Sequence, residues 1–148
     1  MENHVEIILV EDNPHEAELA IRSLKKNHLA NNLIHLDDGA DALDFIFSKG
    51  KYESRERLPR PKLILLDLNL PKVSGIEILK QIKSNELTKA IPVVIMTSSK
   101  EEKDIIDSYH YGVNSYLVKP VSFETFTKAI KDLGFYWLLL NQTPFSID

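Results

Sequence analysis

Four apolar runs in this sequence end in polar residues capable of chemistry. VEIILV (5–10) is followed by Glu11 and Asp12, LILLDL (63–68) carries Asp67 and leads to Asn69, VVIMT (93–97) closes on Thr97, and SYLV (115–118) is followed by Lys119 and Pro120. If these runs are parallel strands, their carboxyl ends share one rim. Three carboxylates, a hydroxyl and an ammonium then meet at one place. Carboxylates held that close repel one another unless a cation joins them. A hard divalent ion suits oxygen ligands, and Mg²⁺ suits this set best (Mn²⁺ being the alternative), because it takes few protein ligands and keeps positions for water and phosphate oxygens. A metal-bound Asp beside an ammonium and a hydroxyl is equipped to accept a phosphoryl group as an acyl phosphate.

The elements that must place these residues alternate between two periods. After the first strand, Asn13-Pro14-His15-Glu16 reads as a helix start, with Asn13 as cap, Pro14 at the first helical position and Glu16 reaching back as in a capping box. LIHL (33–36) is a second strand, and a second helix is predicted from about Ala40 to Ser48. The third strand, 63–68, is the most continuously apolar. Gly75 opens a third helix carrying Ile76, Leu79 and Ile82. Pro92 precedes the fourth strand, Ser99 through Glu102 reads as a capping box for a fourth helix ending at Gly112, and Ser122 caps a fifth. The predicted class is α/β, a doubly wound five-stranded parallel sheet with five helices, whose right-handed crossovers put ligands at the strands' carboxyl ends.

Composition narrows the function classes. The chain has 148 residues, 43% hydrophobic and 27% charged, which suits a single domain over 1–148. It has no cysteine, which excludes thiolate metal sites and disulfides. A net charge of −4 argues against nucleic-acid binding. FYWLLL (135–140) falls far short of the ~20 apolar residues that span a bilayer, and the start shows no signal peptide, so no membrane role and a cytoplasmic setting are expected. The five histidines show no metal-ligand spacing.

Taken in order, EDN (11–13), LLDLNLP (65–71), the Gly75 helix start, VVIMTS (93–98) and YLVKP (116–120) resemble the receiver domains of two-component response regulators over residues 5 to about 133. The resemblance implies a flavodoxin-like receiver fold with strand order 2-1-3-4-5. It implies Asp67 as phosphoacceptor, and a metal site formed by Asp12, Asp67 and the Asn69 backbone carbonyl, with Glu11 acting through water. Thr97 is then the switch hydroxyl, Lys119 the phosphate-pairing lysine, and Tyr116 the aromatic switch that turns inward when Thr97 moves. The Lys119–Pro120 bond is expected to be cis. The implied function is that of a phosphoacceptor signalling protein rather than an enzyme, charged by a sensor histidine kinase. The outputs it implies are protein contact, dimerisation or onward phosphate relay.

Two regions depart from a minimal receiver. Residues 48–62 carry six Lys/Arg against two Glu. The segment reads as a solvated loop, or as an electrostatic contact for an acidic partner. Its length and charge resemble response regulators paired with phytochromes. In 122–148, Phe123, Phe126, Ile130, Leu133, Trp137 and Leu140 form one predicted core stripe, while Phe135, Tyr136, Leu138 and Leu139 lie off it. Those extra apolar positions are covered either by a fold-back of 143–147 or by a second copy in a homodimer through the last helix, and the dimer is expected. Among rivals, an Asp-nucleophile phosphatase wants a second acid where Asn69 stands. A nucleotide carrier of this topology wants a phosphate loop where EDNPHE places negative charge. A non-phosphorylated interaction module has no need of the acids, Thr97 and Lys119 together.

Overall fold

The computed structural model describes residues 5–29, 32–54, 61–119 and 122–144. Five strands, β1 (Ile7–Val10), β2 (Leu33–Leu36), β3 (Leu63–Leu66), β4 (Val93–Thr97) and β5 (Ser115–Val118), form one sheet in the order β2-β1-β3-β4-β5. All four pairings are parallel. Helices α1 (Pro14–Lys26), α2 (Gly39–Ile46), α3 (Gly75–Ser84), α4 (Glu102–His110) and α5 (Phe123–Gly134) connect and follow them. This is the expected doubly wound order, with its switch point between β1 and β3.

Strand side chains alternate faces, so each central strand supplies two cores. Ile7, Leu9, Leu63, Leu65, Val94 and Met96 pack against Ala17, Ala20 and Leu24 of α1 and Phe126, Ile130 and Leu133 of α5. Ile8, Val10, Ile64, Leu66, Val93 and Ile95 pack against Phe45 of α2 and Ile78, Leu79 and Ile82 of α3. Helix α4 is the lightly docked one: Ser108 is its one buried residue.

The helix starts follow the expected caps in part. Asn13 accepts from the Glu16 N–H with Pro14 at the first helical position, and Ser122 accepts from the Thr125 N–H. Helix α2 begins at Gly39 under an Asp38 cap, slightly ahead of the predicted start, and ends at Ile46. The capping box at Ser99 does not form. Helix α4 starts after Glu101, which makes no side-chain cap bond, and Ser99 is bonded elsewhere.

The predicted stripe of the last helix needs correction. At Phe135 the chain widens into a π-helical segment, Phe135–Leu140, where Asn141 donates to the Tyr136 carbonyl five residues back. The wider turn makes Leu138 the buried position and turns Leu140 outward, while Trp137 stays half-buried against the same core. Leu138 is 5% exposed, Leu140 73%, and Phe123 also faces outward. In the long β2–β3 connection, residues 50–52 form a 3₁₀ turn folded onto α2. Tyr52 meets Phe45 edge-on at 5.1 Å and donates to Asp41 Oδ2 at 3.2 Å, so this side chain is docked while Gly50 and Lys51 beside it face solvent. The rest of the basic stretch, 55–60, lies outside the described residues. So do Pro120, with its expected cis bond, and 145–148 of the tail. Among the described residues no helix is long and apolar enough to cross a membrane.

Candidate functional site

The sheet delivers the predicted residues to one rim. Register does the positioning: the Asp67 N–H donates to Val10 O on β1, the Glu11 N–H to Leu36 O on β2, and the Lys119 N–H to Thr97 O on β4. Each polar residue is therefore held by the ladder just past the apolar run that buries its strand. Gly75 lets the start of α3 close on this rim. A Cβ there would meet the Asp67 carbonyl oxygen and lie 2.6 Å from Leu68 Cα, so any side chain would displace the acceptor loop.

Lys119 is the hub. Its Nζ donates to Glu11 Oε1 at 2.7 Å and Asp67 Oδ2 at 3.0 Å, and lies 3.3 Å from Glu16 Oε1. Glu16 is the site residue that sequence reasoning missed. Its side chain turns to the ammonium rather than back to the helix start, because a buried cation is the stronger partner. Glu11 and Asp67 are 5% and 7% exposed and Thr97 is fully buried, while Asp12 faces solvent. Burial pushes the Glu11 carboxyl up to about 7; the Asp67 charge adds to this and the Lys119 hydrogen bond opposes it. Burial alone would lower the Lys119 ammonium, but the bond to Glu11 and the charges of Asp67 and Glu11 override it and hold it above its ordinary value. The remaining carboxylate valences are aimed by the backbone: the Asn69 N–H donates to Asp67 Oδ1 at 3.3 Å and the Asn13 N–H to Glu11 Oε2 at 3.2 Å. A ring nitrogen of His35 on β2, Nε2, sits 2.8 Å from the Glu11 carbonyl and donates to it.

The donor set fits a hard divalent cation. Glu11, Asp12 and Asp67 each bring a carboxylate oxygen within 4.8 Å of the others. Clustered hard carboxylate oxygens of this kind are the donors that Mg²⁺ or Mn²⁺ would take. Beside them a cleft of about 590 Å³ opens, lined by Asn69, Ser98, Ser99, Lys100, Glu101 and Asp104.

The switch residues meet in the β4–α4 loop. Thr97 Oγ1 accepts a long bond, 3.4 Å, from the Ser99 N–H. Tyr116 is half-buried, and its hydroxyl donates to the Ser99 carbonyl at 3.0 Å. Burial raises the Tyr116 hydroxyl above its ordinary value, the bond to Ser99 opposing this. The ring thus lies against the β4–α4 loop, next to the residue that bonds Thr97.

The chain is a doubly wound α/β module with an acidic, lysine-closed rim at the carboxyl edge of its parallel sheet. The model of the response regulator receiver domain family matches residues 7–131, and the chain belongs to that family. It is 41% identical over 139 residues to the probable methanogenesis regulatory protein FilR2 of Methanothrix harundinacea, covering 93% of this chain and 86% of that one. It is 43% identical over 132 residues to response regulator Rcp1 of Synechocystis sp., covering 89% and 88%. The Mn²⁺-bound crystal structure of Rcp1 superposes with a TM-score of 0.87 at 41% identity, over 95% of this chain and 99% of that one. The phosphorylated cyanobacterial phytochrome response regulator RcpA does so with a TM-score of 0.88 at 36% identity, over 95% and 99%. The protein is therefore a response regulator receiver domain of two-component signalling with phytochrome-associated homologues.

Proposed function

We propose that residues 1–148 act as one receiver domain that takes a phosphoryl group onto Asp67 from a sensor histidine kinase. The observation that carries this is the gathering on one rim of Glu11, Asp12 and Asp67, with carboxylate oxygens within 4.8 Å of one another, and of Lys119, bonded to Glu11 and Asp67. Asp67 attacks the phosphorus of a phosphohistidine. An oxygen–phosphorus bond forms, the nitrogen–phosphorus bond breaks, and its electron pair stays on the imidazole. Asp12, Asp67 and the Asn69 carbonyl are the residues that would hold Mg²⁺ or Mn²⁺, with Glu11 close by. When bound, that ion neutralises charge on the phosphoryl oxygens. Lys119 then leaves the carboxylates for a phosphoryl oxygen, and Thr97 turns its hydroxyl to another. The protein is a signalling phosphoacceptor, turning over nothing but its own phosphoryl group, and it works in the cytoplasm where kinase and receiver meet.

Its relatedness to Rcp1 and RcpA supports a phytochrome-type kinase as donor. The exposed Phe135, Tyr136, Leu139 and Leu140 on the extended last helix support a homodimer through that helix. Phosphoryl uptake is tested by intact mass after exposure to acetyl phosphate and Mg²⁺, followed by a panel of purified histidine kinases. Wild type gains one phosphoryl group, while Asp67→Asn and wild type in EDTA gain none. Uptake by Asp67→Asn, or undiminished uptake in EDTA, rejects the reading. Sedimentation that stays monomeric at high concentration rejects the dimer.

A further inference from the structure

Ser99 has every polar atom engaged, by four partners on three elements. Its N–H donates to Thr97 Oγ1 at 3.4 Å, and its carbonyl accepts from the Tyr116 hydroxyl at 3.0 Å. Its hydroxyl donates to Asp104 Oδ2 at 2.5 Å and accepts from the Glu101 N–H at 3.3 Å. One residue therefore joins the β4 hydroxyl, the β5 aromatic and the first turn of α4. The strongest of these bonds is the one to Asp104, since a hydroxyl donating to a carboxylate at that separation is charge-assisted. Asp104 is itself anchored, its carbonyl accepting from Ser108 Oγ at 2.7 Å, and Ser108 is the one buried residue of α4. The helix has no side-chain cap from Glu101, so the Ser99 hydroxyl takes over the fastening of its N-terminal turn.

We infer that Asp104 is a positioning residue: by holding the Ser99 hydroxyl it fixes the β4–α4 loop so that a single serine couples Thr97 to Tyr116. This rests on the receiver reading and adds to it a residue on the α4 wall of the neighbouring cleft, not bonded to the acceptor cluster. Asp104 forms no hydrogen bond or ion pair with Glu11, Asp12, Asp67 or Lys119; its side-chain bond is to Ser99. Its carboxylate decides where the Ser99 carbonyl stands, and that carbonyl holds the Tyr116 hydroxyl. Without Asp104 the loop loses its anchor to α4, and the tyrosine ring swings to solvent while the acceptor pocket stays intact.

The test uses the full chain labelled with 3-fluorotyrosine, observed by ¹⁹F NMR with no phosphodonor present. The five tyrosines give five resonances, and Tyr116→Phe identifies one of them. In wild type the Tyr116 signal stands apart from those of Tyr109 and Tyr136, which are half-exposed. In Asp104→Ala it moves at least halfway towards them; in Asp104→Asn, which keeps an acceptor oxygen, it stays near the wild-type position. Phosphoryl uptake from acetyl phosphate remains within twofold of wild type in both. Should Asp104→Ala lose its native circular dichroism, Ser99→Ala gives the same reading, since it removes the hydroxyl and keeps the carbonyl. A Tyr116 signal unmoved in a folded Asp104→Ala or Ser99→Ala protein overturns the inference. So does a tenfold loss of uptake with an unmoved signal, which would put Asp104 in the acceptor site. Failure of wild type to take up phosphoryl at all would instead strike the receiver reading and leave the fluorine result standing.

Discussion

Lys119→Met keeps the aliphatic stem and deletes the ammonium that Glu11, Asp67 and Glu16 share at 2.7, 3.0 and 3.3 Å. The side chains of Lys119, Glu11 and Asp67 are no more than 8% exposed, so solvent cannot replace the lost partner. Removing one member of a buried ion pair costs about 3–5 kcal/mol, a large share of the ~5–15 kcal/mol that holds a domain folded. The loss depends on pH, and its sign is set by Glu11. The folded carboxyl titrates near 7 against an ordinary value of 4.5, burial being the main cause. Between those values the folded state binds more protons than the unfolded one, so this group's favourable term is complete below the lower value and disappears as pH rises through the upper. Deleting Lys119 removes the bond that pulls Glu11 down, which moves the folded value higher still. The variant is therefore expected to lose about 3–5 kcal/mol near pH 8 and less near pH 6, where Glu11 is mostly protonated. Urea unfolding in EDTA, followed by circular dichroism and by the single tryptophan, Trp137, measures both. Mg²⁺ added at the higher pH should restore part of the loss, because a divalent cation can take the place of the ammonium among the carboxylates. Equal losses at the two pH values, or no loss at either, would refute the account of Lys119 as the counter-charge of a buried acidic pair.

Leu138→Ala should destabilise by about 2–4 kcal/mol and Leu140→Ala by under about 0.5 kcal/mol, read from urea midpoints; the reverse order would restore an unbroken α-helical stripe. Gly75→Ala should force the α3 start off the Asp67 loop. It is expected to slow acetyl phosphate uptake by about 10²-fold if Asp67 moves by ~1 Å, as followed by intact mass, whereas uptake at the wild-type rate would show that the loop yields elsewhere. Tyr52→Phe removes the bond to Asp41 Oδ2 but keeps the edge contact with Phe45, so it should cost only about 0.5–1.5 kcal/mol in the same unfolding assay.

Much of the fold was legible because the three central strands are buried on both faces and the strands are punctuated by residues that cannot continue them. LILL and VVIMT are unbroken apolar runs, and the residues just beyond each are polar enough to mark its end. The site was legible for the same reason: a parallel sheet brings the ends of its strands together, so chemistry written at strand ends converges without long-range information. Competition between partners is the part that escaped the sequence. Glu16 and Ser99 both fit capping boxes locally. Each is drawn instead to a partner outside that local pattern, Glu16 to an ammonium from beyond β5 and Ser99 to a carboxylate in the first turn of α4. The docking of Tyr52 on α2 likewise depends on a contact between segments whose meeting no local pattern announces. The register of the last helix was missed because a period of 3.6 was carried through a segment that has a wider turn.

That wider turn has a consequence for comparing relatives. The interval from Leu133 to Leu138 does the work that four residues do in an ordinary helix, so the segment behaves as though one residue had been slipped into the chain after the core was already satisfied. Interior packing tolerates the insertion; the outside does not, because each added residue swings the exterior by ~100° about the helix axis. Two receivers of this family with superimposable cores can therefore present Leu139 and its counterpart in quite different directions. An ungapped alignment across 135–140 would then pair an inward leucine of one with an outward aromatic of the other.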